Sequence, residues 1–316
     1  MELTLEREVP TDTTVVPIKR YEIYDRFQIA PLEGIAGRMD VWCPMIPDTP
    51  YQRVLDVSIA APGPYELNRE PEFGNLMLHA ALLEAFDKAL LFEIRYVVER
   101  LRVPHRLDSP PVRALAVRGL FARALAPEQY VDVDLKTQAL AEQVVGDECS
   151  PLERARRIYD YVTEKMTYNA AEQSWKGSTE HALACSVGNC NDIHALFVSL
   201  CRSLGIPARF VLGQALEPPP PGQEACELCG YHCWAEFFVP GLGWVQADAS
   251  CACKYGKHEL FGDLEMNHVA WSVGRDIQLQ PPQHGGRLLF LAGPYVEIGR
   301  NPHAMVERQI RFFESS

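Results

Sequence analysis

The stretch from Gly188 to Arg209, GNCNDIHALFVSLCRSLGIPAR, constrains this chain more than any other. Ile193, Leu196, Phe197, Leu200 and Leu204 recur at helical spacing, which predicts a helix with one buried face. Gly205, with Pro207 just beyond it, marks the helix end as a glycine cap does. The Gly188-Asn189 pair turns the chain immediately upstream, so Cys190 falls in the first helical turn. Unpaired backbone N–H groups and the helix dipole favour an anion at that place. A free thiol has a pKa of about 8.5 and is only a few per cent thiolate at neutral pH. A helix start and an imidazole neighbour both raise that fraction, so Cys190 occupies a nucleophile position.

An imidazole and a carboxylate follow downstream in YHCWAEFFVPGLGWVQADAS, Tyr231 to Ser250. This segment reads as a hairpin with strands Tyr231 to Val239 and Gly243 to Ala249. Along the first strand His232, Trp234, Glu236 and Phe238 share a face; along the second Trp244, Gln246 and Asp248 do. With Pro240-Gly241-Leu242 as the loop, Asp248 comes opposite Trp234 and diagonal to His232, within side-chain reach. The helix of Cys190 is expected to pack across that same face. In such a set His232 takes the thiol proton and Asp248 holds the imidazole tautomer. Trp234 and Trp244 read as packing residues flanking the site.

These motifs together resemble the transglutaminase-like superfamily. Asp192, Arg202, Gly205, Ile206, Pro207 and Arg209 stand at recurring positions of its cysteine motif, and Trp234, Glu236, Gly243 and Trp244 match around its histidine and aspartate motifs. The resemblance covers roughly residues 135 to 300. It implies a papain-like core with Cys190 as nucleophile, His232 as base and Asp248 as its orienter, as in bacterial members described as cysteine proteases with an N-terminal β-domain. Two positions depart from the pattern: His194 stands where a small or apolar residue is usual, and Cys233 directly follows the histidine. For the oxyanion hole, the Cys190 backbone N–H is one candidate donor, with Gln173, Trp175 and Asn189 as candidates for the second.

A separate cysteine cluster brackets the hairpin. Cys226-x-x-Cys229 precedes it and Cys251-x-Cys253 follows it, a set that could close around a structural zinc ion or remain as reduced surface thiols. Cys43, Cys185 and Cys201 read as core thiols. His181, His258, His268 and His284 lack any HExxH-like spacing and read as surface or satisfied core residues.

Around this centre the fold class reads as α+β. Residues 1–105 carry alternating strands, Leu55, Val57 and Ile59 in one and Phe92, Ile94, Tyr96 and Val98 in another, punctuated by prolines; this predicts an antiparallel β-sandwich. Residues 106–130 read as a connection and 131–316 as the catalytic domain, opening with a capping-box helix at Ser150. Later strands are expected near Ile277 and Leu288 to Leu291.

A net charge of -12 argues against nucleic-acid and anionic-membrane partners. No apolar run opens the chain, so the expected location is cytoplasmic, where cysteines serve chemistry or metals rather than disulfides. The resulting expectation is an enzyme of cysteine-dependent acyl transfer on peptide, protein or isopeptide amides, needing no cofactor for catalysis. Hydrolysis is favoured over amine transfer because water needs no second-substrate site. A non-catalytic peptide-binding scaffold that retains the core is the competing reading. Zinc ligation by Cys190, His232 and Asp248 is a third, which the motif context disfavours.

Overall fold

A computed structural model of the protein describes residues 17–32, 36–105, 118–171, 176–217, 226–228 and 230–315. Six strands come first: β1 (Ile18–Ile29), β2 (Ala36–Pro44), β3 (Gln52–Ala60), β4 (Tyr65–Arg69), β5 (Leu76–Ala85) and β6 (Leu90–Leu101). The middle of the chain is mostly helical. It holds α1 (Ala122–Leu125), α2 (Leu135–Val145), α3 (Pro151–Lys165), β7 (Thr167–Tyr168), α4 (Thr179–Cys185), β8 (Val187–Gly188) and α5 (Cys190–Ser203). Then follow β9 (Ala208–Ala215), β10 (Cys226–Leu228), β11 (His232–Val239), β12 (Gly243–Ala247), α6 (Ala249–Tyr255) and β13 (His268–Val273). The last strands are β14 (Tyr295–Ile298), β15 (Asn301–His303) and β16 (Val306–Ser315). The mixed α+β architecture with mostly antiparallel sheets, the short parallel pair β7-β8 excepted, is the one the sequence predicts.

Two five-stranded sheets, β10-β16-β1-β6-β3 and β15-β14-β2-β5-β4, form the sandwich. Tyr21, Ile23 and Phe27 from one sheet meet Met39, Val41 and Leu78 from the other in its core. Alternation explains β6 well: Phe92, Ile94, Tyr96 and Val98 are buried. It fails for β3, where Leu55 and Val57 are 49% and 41% exposed. That strand lies at a sheet edge, and a bulge between Val54 and Asp56 shifts its register.

The expected division at residue 131 does not describe the sheets. β16 pairs along most of β1, from Ile29 opposite Val306 to Arg20 opposite Ser315, and β14 pairs with β2. The sandwich therefore takes strands from both halves of the sequence, because a strand's local pattern does not name its partner. Near Ile277 and Leu288 the structure has only an isolated bridge between those two residues. Most of the expected connection, residues 106–117, lies outside the described residues; α1 follows it.

A third sheet, β12-β11-β9-β13, carries the helices. Against it packs α5, surrounded by α2, α3, α4 and α6. Every residue of α5 from Cys190 to Arg202 is buried, so the helix is central rather than amphipathic. The helix lies on the face of Cys233, Ala235, Phe237 and Val239. This is opposite to the face expected. The Trp234 and Glu236 face turns instead toward the sandwich, where Gln52 Nε2 and Oε1 pair with the Ala270 carbonyl and N–H, each at 2.9 Å. In α3 the cap also differs: Ser150 makes no side-chain capping bond, and Glu148 Oε1 accepts from its N–H at 2.8 Å.

One glycine holds the middle of this sheet. A Cβ on Gly213 would come 2.0 Å from the Val269 carbonyl oxygen and 2.9 Å from the Trp234 ring. Backbone cannot retreat there without breaking the ladder between β9 and β13. Gly213→Ala should lower stability by at least about 2 kcal/mol, read as a lower urea midpoint at unchanged slope. Among the described residues no helix is long and apolar enough to cross a membrane.

Candidate active site

The turn before α5 is built by a reciprocal cap. Asn189 Oδ1 accepts from the Asn191 N–H at 2.9 Å, and Asp192 Oδ2 accepts from the Asn189 N–H at 3.2 Å. Asp192 Oδ1 also accepts from the Ser178 N–H at 3.0 Å, which ties α4 to this turn. Gly188 fits because a Cβ there would lie 2.6 Å from that of Asp192. Cys190 is thereby fixed at the first helical position, 8% exposed.

The hairpin has the expected register, with Val239 opposite Gly243 and Ala235 opposite Ala247. Past Ala247 the strand stops, because Asp248 caps a helix. Its Oδ1 accepts from the Cys251 N–H at 2.8 Å and from Ser250 Oγ at 2.9 Å. Its Oδ2 is left for imidazoles: His232 Nε2 donates to it at 2.7 Å and His268 Nε2 at 3.0 Å. One carboxylate thus divides its work between a helix start and two histidines. With Nε2 of His232 engaged, Nδ1 remains for the Cys190 thiol, with which His232 is hydrogen-bonded. The structure so brings together Cys190, His232 and Asp248.

Charges follow this geometry. A hydrogen bond from the Cys233 thiol, against burial and then with the help of His232, holds Cys190 well below the usual thiol pKa. Burial disfavours a charged His232, yet the Asp248 charge and hydrogen bond raise it well above the ordinary imidazole value. Burial likewise opposes ionisation of Asp248, but the charge and hydrogen bond of His232, joined by His268, hold it well below the usual carboxylate range. Cys233 itself is pushed well up by burial, so it stays a thiol donor. The arrangement favours a thiolate–imidazolium pair in a water-poor site.

His194 and His268 were not singled out for chemistry in the sequence, and both are at the centre. His194 Nδ1 lies 2.8 Å from the Cys190 carbonyl oxygen, and its Nε2 accepts from the Ala249 N–H at 3.1 Å. Those two partners fix one neutral tautomer, and burial lowers the pKa further in that direction. The residue joins the start of α5 to the start of α6, which accounts for a polar side chain at that helix position. His268 heads β13, and Arg100 holds its carbonyl at 2.6 Å from the sandwich side. The parity of the hairpin could not have found His268, since β13 follows after a long irregular segment. Trp234 is fully buried with its ring edge-on to that of His268, a packing role.

Gln173 and Trp175 lie outside the described residues, as does Cys229, and the side chain of Cys226 is not described. Cys251 and Cys253 sit on α6 rather than on a strand end. Cys251 Sγ faces His232 Nε2 at 3.8 Å, while Cys253 Sγ faces the Thr163 carbonyl at 3.8 Å. Two residues apart on a helix point about 200° away from each other, so these two thiols do not converge. Cys43 and Cys201 are buried as expected, but Cys185 is exposed, at the end of α4 beside His181.

Residues 138–249 match the profile of the Transglutaminase-like superfamily, a span that contains Cys190, His232 and Asp248. That span is a transglutaminase-like domain. The transglutaminase-like core and the sandwich together are similar to the crystal structure of a "Putative Cysteine Protease" from Cytophaga hutchinsonii. The TM-score is 0.62 at 18% identity, over 95% of this chain and 92% of that one, so the shared fold includes the sandwich. An "Uncharacterized protein" of Haemophilus influenzae is 26% identical over 332 residues, 89% of this chain and 86% of that relative.

Proposed function

We propose that the protein is a cysteine-dependent acyl-transfer enzyme that hydrolyses peptide, protein or isopeptide amide bonds through an acyl-enzyme. The observation that carries this reading is His232 held between the Cys190 thiol and Asp248 Oδ2. In the first half-reaction the Cys190 thiolate attacks the amide carbonyl carbon. The tetrahedral oxyanion forms beside the N-terminal turn of α5, where the Cys190 N–H is our candidate donor. The carbon–nitrogen bond then breaks, and the His232 imidazolium gives its proton to the departing amine. In the second half-reaction His232 takes a proton from water, hydroxide adds to the thioester, and the Cys190–carbon bond breaks to release the acid. Asp248 keeps its charge throughout and orients the ring. A thiolate of this kind suits a reducing compartment, in keeping with a cytoplasmic location.

The pH dependence of Cys190 alkylation tests the reading without any knowledge of substrate. Because the thiol pKa is depressed, labelling by iodoacetamide should stay fast below pH 8.5 and fall only when pH drops through the depressed value. Turnover, which needs the imidazolium as acid, should also fall as pH rises through the raised His232 value. Alkylation that rises only near pH 8.5 would instead favour a binding scaffold. Peptide amides with an electrophilic carbonyl, followed by intact-mass analysis, then identify the acyl group held on Cys190.

A further inference from the structure

We propose that His232, Asp248, Cys251 and His268 form a four-donor site for a zinc-class divalent cation, and that occupancy switches the Cys190 thiol off. The donor atoms of these four residues all lie within 4.8 Å of one another. Cys251 Sγ is 3.8 Å from His232 Nε2, close to the edge of a zinc tetrahedron, which is about 3.3–3.7 Å for bonds of about 2.0–2.3 Å. The two imidazole nitrogens sit 2.7 and 3.0 Å from Asp248 Oδ2, so a cation would spread them by about half an ångström. Two imidazoles, a thiolate and a carboxylate are a donor set for zinc rather than for calcium or magnesium.

Outer partners are already in place. Asp248 Oδ1 is held by Ser250 Oγ and the Cys251 N–H, which leaves Oδ2 for the cation. His268 Nδ1 lies 2.8 Å from Asn267 Oδ1. With a cation on Nε2, the His268 proton moves to Nδ1 and is donated to that oxygen, the outer-shell bond that metal-bound histidines need. Entry is from the side of His232, whose side chain is 17% exposed, and of Cys251, which is half-buried; Asp248 and His268 close the back.

The protons balance. The cation displaces the Nε2 protons of both histidines: that of His268 passes to its own Nδ1, that of the His232 imidazolium, whose Nδ1 is already protonated, returns through solvent to the Cys190 thiolate, and the Cys251 thiol releases one proton to solvent. A dication, one thiolate and one carboxylate then sum to zero charge, as a buried site requires. The consequence for the reaction rests on the function proposed above: a proton on His232 Nδ1 faces Cys190, so the ring can no longer accept the thiol proton.

Cobalt(II) titration of the full chain tests the site apart from that function. About one cobalt per chain should bind, with a thiolate-to-cobalt band in the near ultraviolet, displaced by zinc. The band should persist in Cys190→Ala and in Cys226→Ser/Cys229→Ser, and be lost in Cys251→Ser and in His268→Gln. In the wild type, zinc should slow alkylation of Cys190 and a chelator should restore it. A band that survives Cys251→Ser, one that follows Cys226 and Cys229, or no cobalt binding would overturn the site. Binding as described with unchanged alkylation would overturn the switch. Circular dichroism of each variant separates ligand loss from unfolding; if Cys251→Ser does not fold, His268→Gln and Cys251→Ala carry the comparison.

Discussion

Cys190→Ala should reduce amide turnover by about 10⁴-fold or more, since removal of the nucleophile in a unit of this kind abolishes nearly all of its chemistry. The same change should remove the fast-alkylating thiol. Stability should hardly move. The cap at the start of α5 is made by Asn189 and Asp192, not by Cys190, and alanine is the best of helix formers. The variant therefore separates chemistry from folding: an unfolding midpoint near that of the wild type with no thioester in intact-mass analysis. Turnover within tenfold of the wild type would reject Cys190 as nucleophile, whatever its reactivity toward alkylators.

The second large effect concerns Asp248. Asp248→Asn should lower turnover by about 10⁴-fold while the protein still folds. The amide oxygen can keep the two bonds that Oδ1 now makes to Ser250 and the Cys251 N–H. The amide nitrogen would stand where Oδ2 does, presenting N–H groups to His232 Nε2 and His268 Nε2. His232 must then accept at Nε2 and carry its proton on Nδ1, facing the thiol. It can neither take the thiol proton nor become a stabilised imidazolium. Alkylation of Cys190 should revert to the pH dependence of an ordinary thiol, near pH 8.5. Asp248→Ala should add a loss of about 1 kcal/mol, because the cap of α6 goes as well. A pH profile unchanged in Asp248→Asn would remove Asp248 from the reading.

The candidate site was legible where its signals are local. A helix start at Cys190 and the parity of a hairpin between His232 and Asp248 depend on neighbours a few residues apart. Parity states which residues share a face, not what covers that face, and α5 packs on the other one. From sequence His194 reads only as a departure from the family pattern and His268 only as a side chain without metal spacing, because their partners at Ala249 and Asp248 come from other elements. The Cys251-x-Cys253 pair reads as flanking a strand only until the capping power of Asp248 is counted. An aspartate followed by Ala249, Ser250 and Cys251 is itself a helix-start signal. The sandwich was legible as strands but not as sheets, since nothing local in β16 names β1 as its neighbour.

That pairing of β1 with β16 bears on the order in which the molecule is made. A chain leaving the ribosome exposes β1 long before β16, yet the strand that covers one of its edges is Val306–Ser315. The other edge can close on β6 early, whereas this one stays open until Val306–Ser315 has been synthesised, more than two hundred residues after β6. The elements that carry Cys190, His232 and Asp248 emerge before that closure. The sandwich is therefore the late event in biosynthesis, and the interval before it is when the nascent chain is most open to strand-mediated association.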